Sequence, residues 1–422
     1  MNNNLDRPRP RHYDAVLGTQ IRPPLEGAVL GGLAGVKSRL ASPLVKVRVA
    51  ALSDALNYGE TGLDLVIQAL KDSSKPVRRA AYLLLRQSVK PQVKQALQQY
   101  KPWNLVERLR IYEYPEHITR FANRNVEEFD PQTSILDPVG TAYAMRVEWD
   151  EYDVDITDKL QPLLQDPQVN QLEALVIGAW NQEMYQCSSD IVVNALVAAK
   201  EQLANLKALF LGDIIYTESE ISWIGQSDIS PVLEAYPNLE VLQVRGGKGL
   251  AFNPLRHENL EALIVETGGL SRETIAQICA LELPALEHLE LWLDSDYYGG
   301  NSAIADLKPI FNDLVFPDLS YLGLRNSEYS DEIADAVVYS LLIDHLKVLD
   351  LSMGNLSNYG ALTLLNYCPP VNQLDILNVS ANYLSHKTIA RLSELDVQLI
   401  ATHQKSEDNY SATGDRYCSV SE

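Results

Sequence analysis

The chain has 422 residues, 46% hydrophobic and 22% charged, a composition that fits a soluble folded protein and excludes a disordered one. Its formal charge of -21 is unevenly spread: residues 1–100 carry 15 Lys/Arg against 7 Asp/Glu, and the other 322 carry 20 against 49. A basic front therefore precedes an acidic body, and the acidic body repels the phosphate backbone a nucleic acid would present.

Four scattered cysteines, Cys187, Cys279, Cys368 and Cys418, form no C-x-x-C pair and read as reduced thiols of a cytoplasmic protein. No apolar run approaches the ~18 residues needed to span a membrane. The run Gly27–Val36 has the length of a signal-peptide core. It starts late, follows Pro23-Pro24 and Glu26, and lacks a cleavage pattern, so it is not read as an export signal.

Residues 1–25, rich in Pro, Arg and Asn, are expected to form a mobile or loosely docked arm. From 26 to 100 the spacing is helical: Val45, Val49, Leu52 and Leu56, then Leu63, Val66, Ile67 and Leu70, then Val77, Ala80, Ala81, Leu84 and Leu85. The stretch Asp72-Ser-Ser-Lys-Pro-Val-Arg-Arg-Ala80 joins a capping side chain, an early proline and an apolar-basic face. It resembles the second helix of a HEAT repeat, and Ser42–Ala51 is similar, with Val47–Ala51 matching Val77–Ala81 at an offset of 30. The resemblance implies a small all-α module. Lys46, Arg48, Lys75, Arg78 and Arg79 then form either solvated helix faces or a basic surface for a polyanion such as nucleic acid.

Residues 101–140 mix aromatics and prolines and read as a connector. Tyr143–Trp149 alternates, which predicts a strand with one wet face that starts a sheet. From 141 to 402 the spacing L-x-x-L-x-L recurs, opened by Leu172, Leu206, Leu239, Leu260, Leu286, Leu319, Leu346 and Leu374, with Leu395 a truncated last copy. The steps between the first eight, 34, 33, 21, 26, 33, 27 and 28, suit leucine-rich repeats with convex helices, of the ribonuclease-inhibitor-like kind. The helices fall at Asp190–Leu203, Ser271–Ala280, Ala303–Leu314, Asp331–Leu342, Asn358–Tyr367 and Ser385–Leu392. Strand followed by helix throughout makes the fold class an α/β solenoid, a leucine-rich repeat horseshoe with a parallel sheet. The polar residues 403–422 are expected to be a disordered tail.

Residues beyond the leucines carry a second resemblance: Ala174–Trp180, Gly212–Trp223, Val244–Gly247, Glu266–Leu270, Leu291–Gly300, Leu322–Asn326 and Leu349–Ser352. Over roughly residues 117–400 the chain is similar to a bacterial leucine-rich repeat family of uncharacterised cytoplasmic proteins. That resemblance implies the fold and no chemistry.

Strand alternation places three columns of side chains on one shared face, with column neighbours ~4.8 Å apart. The first column runs through His288 and Tyr321; the second includes Gln243, Glu290, Asp350 and Asn378. The third reads Arg245, Glu266, Trp292, Arg325, in which opposite charges pair and Trp292 stacks on Arg325. Trp and Arg dominate interaction hot spots; the alternative is that these residues simply stabilise the ladder. The loop beyond carries Asp294, Asp296, Tyr297 and Tyr298 before Gly299-Gly300. Its Asp-x-Asp-x-x-Gly start lacks the closing acidic residue of a calcium loop, and no metal or cofactor is expected. The insertion Asp213–Ser230, with Tyr216, Glu218, Glu220 and Trp223, is expected on the same rim. Nucleophile elbow, metalloprotease, Walker and dinucleotide motifs are absent, so the chain is read as a non-enzyme. The candidate partner-binding residues are Arg245, Glu266, Trp292, Asp294, Asp296, Tyr297, Tyr298 and Arg325, in a scaffold that binds an unknown protein or peptide. The competing readings are polyanion binding by the basic front, small-ligand binding at the acidic loop, and docking of the basic front onto the acidic body.

Overall fold

The computed structural model describes residues 32–72, 74–85, 88, 90–93, 96, 106–109, 116–182, 187–294, 298–312, 315–406 and 416–420. The expected arm at 1–25 and the site residues Asp296 and Tyr297 lie outside these. The chain divides into two compact units, Met1–Val106 and Glu107–Glu422.

In the first unit, helices α1 (Gly32–Leu40), α2 (Val45–Ala55), α3 (Gly59–Ala69) and α4 (Lys75–Leu85) follow the apolar periodicity. Val36, Leu52, Leu63, Val66, Leu70, Val77, Ala81 and Leu85 are buried in one cluster. Leu56 is the exception: α2 ends at Ala55, and Leu56 opens a 3-10 turn where it is exposed. Asp72 organises the turn into α4, accepting from the Ser74 backbone N–H at 2.7 Å and pairing with Arg48 at 3.2 Å. Arg78 donates to the Asp72 carbonyl at 2.8 Å.

The second unit is built on a twelve-stranded open sheet whose order in space is the order in sequence. Its strands are β1 (Arg120–Phe121), β2 (Arg124–Glu128), β3 (Thr141–Met145), β4 (Ala174–Ile177), β5 (Ala208–Leu211), β6 (Val241–Arg245), β7 (Ala262–Glu266), β8 (His288–Asp294), β9 (Tyr321–Ser327), β10 (Val348–Asp350), β11 (Ile376–Asn378) and β12 (Gln398–Ile400). All neighbours pair in parallel except β1 and β2. The nine opening leucines, Leu172 to Leu395, are buried in the main core with the two inward-facing Leu, Ile or Val residues of each of the first eight repeats, which is how the spacing fixes the register. The architecture is the α/β solenoid expected.

The ends differ from the sequence reading. The sheet starts inside the connector, with β1 and β2 joined by the two-residue turn Ala122-Asn123. Both residues have positive φ, 46° and 65°, the geometry that matches the twist of a tight hairpin. β3 is therefore third rather than first and is buried on both faces. Ala142 and Ala144, on the side expected to be wet, pack with Phe121, Ala174, Val176, Ala208 and Phe210. The strand ends at Met145, so Trp149 lies beyond it and is 81% exposed. Helices are shorter than expected. The one predicted over Ala303–Leu314 spans only Ile304–Leu307, because Pro309 supplies no N–H to continue it. Residues 416–420, within the expected disordered tail, are docked: Asn326 Oδ1 accepts from the Ser419 and Val420 N–H groups at 3.0 and 2.9 Å. Cys418 is buried there.

Candidate functional site

In β6 to β9 the leucines point into the core, which leaves the alternate residues on the opposite, concave face. The observed register pairs Arg245 with Glu266, His288 with Tyr321, Glu290 with Gly323 and Trp292 with Arg325, as the column analysis requires. The Arg245 Nε donates to Glu266 Oε2 at 2.8 Å, and the Arg325 guanidinium lies 5.4 Å from the Trp292 ring centroid. His288 stacks flat on Tyr321, with centroids 3.8 Å apart.

Glu290 is the centre of this face. Its Oε1 accepts from Trp292 Nε1 at 2.9 Å and Arg325 Nη1 at 2.9 Å. Its Oε2 lies 3.3 Å from His288 Nε2 and 3.4 Å from the Tyr321 hydroxyl. The remaining partner comes from far away in sequence. Arg108, on the short 3-10 turn Val106–Leu109, grips Glu290 with a fork: Nη2 to Oε1 at 2.6 Å and Nε to Oε2 at 3.2 Å. The same Nη2 reaches Glu266 Oε1 at 2.5 Å. Arg325 Nη1 donates back to the Arg108 carbonyl at 2.9 Å, and Asn378 Nδ2 to the Leu109 carbonyl at 3.4 Å.

Glu266, Glu290 and Asp350 are fully buried, and Arg108, Arg245 and Arg325 are at most 8% exposed. Isolated charges at such depth would be prohibitively costly, so their mutual pairing is what permits them. Burial alone would raise the Glu290 carboxyl, but the guanidiniums of Arg108 and Arg325 hold it well below the usual carboxylate range. Glu266 is lowered in the same way, against its burial, by Arg108 and Arg245. Burial outweighs the neighbouring Glu290 at His288 and lowers its pKa, which favours a neutral ring.

The structure thus brings together Arg245, Glu266, Trp292 and Arg325, and places all four under cover with Arg108. Asp294 ends β8 opposite Ser327. Tyr298 is half-buried and lines a cavity of about 680 Å³ with Ser222, Trp223, Gly247, Lys248 and Ser271. The insertion therefore does meet the rim loop, and Trp223 is exposed there. Gly269 permits the close approach: a Cβ on it would lie 2.5 Å from the Tyr298 carbonyl oxygen and the Gly300 nitrogen. A second cluster lies near β3, where His117 faces Asp213 and Glu218, each at 3.5 Å, and Arg146 pairs with Asp213 at 3.2 Å. Among the described residues no group of His, Cys, Asp and Glu is arranged to hold a metal ion, and no helix is long and apolar enough to cross a membrane.

Sequence reasoning placed Glu290, Asp350, Asn378, His288 and Tyr321 in the columns without choosing them, and it missed Arg108. One signal was there. Columns two and three hold Glu266, Glu290 and Asp350 against Arg245 and Arg325, so the face needs one more cation.

Among solved structures, a Bacteroides fragilis protein is similar at 28% identity, over 66% of this chain and 76% of its own, with a TM-score of 0.58. An internalin from Listeria monocytogenes matches at 14% identity, over 61% of this chain and 60% of its own, with a TM-score of 0.30. The leucine-rich repeat ectodomain of the Arabidopsis receptor kinase HAESA, solved with a peptide hormone ligand, matches at 16%, over 58% and 32%, with a TM-score of 0.26. No known family profile and no curated protein matches the sequence.

Proposed function

We propose that this protein is a cytoplasmic interaction scaffold that holds a protein or peptide on the concave face of its repeat unit and along the adjoining rim. The observation that carries this reading is the seating of Arg108: the face holds a segment 158 residues distant in sequence from Glu266 and 182 from Glu290. Its columns offer the chemistry such a task needs, with charged groups fixed by their neighbours on rigid strands and a Trp–Arg stack at the centre. Tyr298, which shares a cavity with the exposed Trp223, extends the contact surface along the rim, and Asp294, Asp296 and Tyr297 are taken as further contacts of the same loop. The assignment is to binding rather than catalysis, since Glu266 and Glu290 are both engaged by guanidiniums. The four front helices are read as a HEAT-like module that adds a second surface. On its surface Arg48 pairs with Asp72, and Arg39 with Asp54.

Affinity capture from source cytosol with the full chain as bait tests the site. Partners retained by the chain should be lost from the Trp292→Ala and Tyr298→Ala variants, provided these keep the circular dichroism of the parent. Retention of every captured partner by both folded variants would remove the site assignment.

A further inference from the structure

The occupant already in the site indicates what it accepts. Two recognition elements converge on residues 108–109. One reads the side chain: Glu290 and Glu266 together hold one guanidinium, Glu290 through the Nε and Nη2 fork. An ammonium is a point donor on a flexible stem and cannot reproduce that fork. The other reads the main chain: Arg325 and Asn378 donate to the successive carbonyls of Arg108 and Leu109. Main-chain contacts of this kind are indifferent to sequence and suit any peptide laid across the strands. Leu109 is itself buried, so the position after the arginine has an apolar setting.

The receiving groups do not depend on Arg108 for their placement. Glu266 is held by Arg245 Nε at 2.8 Å and Gln243 Nε2 at 3.0 Å, and Glu290 by Trp292 and Arg325. All of these lie on the sheet. Take Arg108 away and, among the described residues, the carboxylates of Glu266, Glu290 and Asp350 keep the guanidiniums of Arg245 and Arg325 beside them, one cation fewer than the anions. The segment supplying that cation is a four-residue 3-10 turn rather than a strand of the sheet, so its release breaks no ladder.

We propose that the concave face is a reader of arginine-bearing peptides, specific for an arginine followed by an apolar residue, and that Arg108-Leu109 is the chain's own occupant, displaced when a partner presents the same chemistry. This deepens the scaffold reading and rests on it. A tethered occupant meets its site at an effective concentration of roughly millimolar, so a free peptide competes poorly until Arg108 is removed.

The test uses the full chain and a fluorescent nonapeptide with the sequence of residues 104–112, Asn-Leu-Val-Glu-Arg-Leu-Arg-Ile-Tyr. Fluorescence anisotropy should show the Arg108→Ala protein binding it at least about tenfold more tightly than the parent, the margin that loss of a tethered competitor provides. Replacing the first peptide arginine by alanine should abolish binding, replacing the second should leave it largely intact, and adding Glu290→Gln to the protein should weaken it. Should Arg108→Ala not fold, Arg108→Lys keeps the charge without the fork and should likewise gain affinity for the peptide over the parent. Equal binding by parent and variant, no binding by a folded variant, or indifference to the first peptide arginine would each overturn the proposal. If the peptide fails while Trp292→Ala and Tyr298→Ala still lose captured partners, the scaffold reading survives without the arginine preference. If the peptide binds as expected and those variants lose nothing, the arginine site stands and the wider partner surface falls.

Discussion

Glu290 is ringed by five polar side chains, Arg108, His288, Trp292, Tyr321 and Arg325, while fully buried; the Tyr321 hydroxyl lies between it and Asp350. Removing its charge leaves Arg108 and Arg325 short of a partner in a site closed to water. Glu290→Gln should therefore destabilise the repeat unit by about 3–5 kcal/mol in urea unfolding, the usual cost of breaking a buried ion pair from one side. Because its folded pKa is depressed, the stability it contributes is fully present above the usual 4.5 and lost as pH falls through the folded value, so parent and variant should converge only in acid. His117 has the opposite sign. Burial opposes its proton, but the hydrogen bonds to Asp213 and Glu218 outweigh it and raise the pKa from 6.5 to about 9. Its contribution is full below pH 6.5 and disappears as pH rises through about 9. His117→Gln should accordingly melt below the parent in mildly acidic buffer, and the two melting temperatures should meet in alkaline buffer.

At the scale of elements, loops beyond the strand ends depend on close backbone approaches and caps. Ser271 Oγ accepts from the Thr274 N–H at 3.0 Å and starts the helix Arg272–Cys279. Ser271→Ala should cost about 1 kcal/mol, as lost caps do, with the rim unchanged. Gly269→Ala is expected to be more disruptive, by about 1–3 kcal/mol, because the added methyl meets main-chain atoms that cannot rotate away. It should also displace Tyr298, and loss of captured partners beyond the loss in stability would mark the loop as a contact. Circular dichroism melts and the capture assay together separate the two effects. The element hardest to foresee was the turn Val106–Leu109. It has no periodicity of its own and owes its place to charges on strands more than 150 residues away.

Across the whole molecule, burial falls into separate clusters. The helices α1 to α4 enclose one core, and the repeats enclose another, with a smaller one on the concave side of β3 to β5. Among the described residues, the cluster of α1 to α4 and the core of the repeats are each built from residues of one unit. Unfolding should thus proceed in two calorimetric transitions, and residues 107–422 expressed alone should retain the larger of them. A single transition lost on truncation would contradict this. The boundary at Val106 also matters for where Arg108 belongs: it travels with the repeats whose carboxylates it joins.

The repeats were legible because one local rule, leucines at fixed spacing, is enforced nine times by burial of the same positions, from Leu172 to Leu395. Register followed from alternation, so the pairs Arg245–Glu266 and Trp292–Arg325 could be named before any coordinates. What the columns faced could not. A strand's period says which way a side chain points and nothing about what covers it, and the concave face is covered by residues the connector delivers from elsewhere in the chain. Phe121 made β3 dry on both sides, and Arg108 closed over Glu266 and Glu290. Local spacing is a property of neighbours in sequence; the balancing of buried charge is settled between residues that only folding brings together.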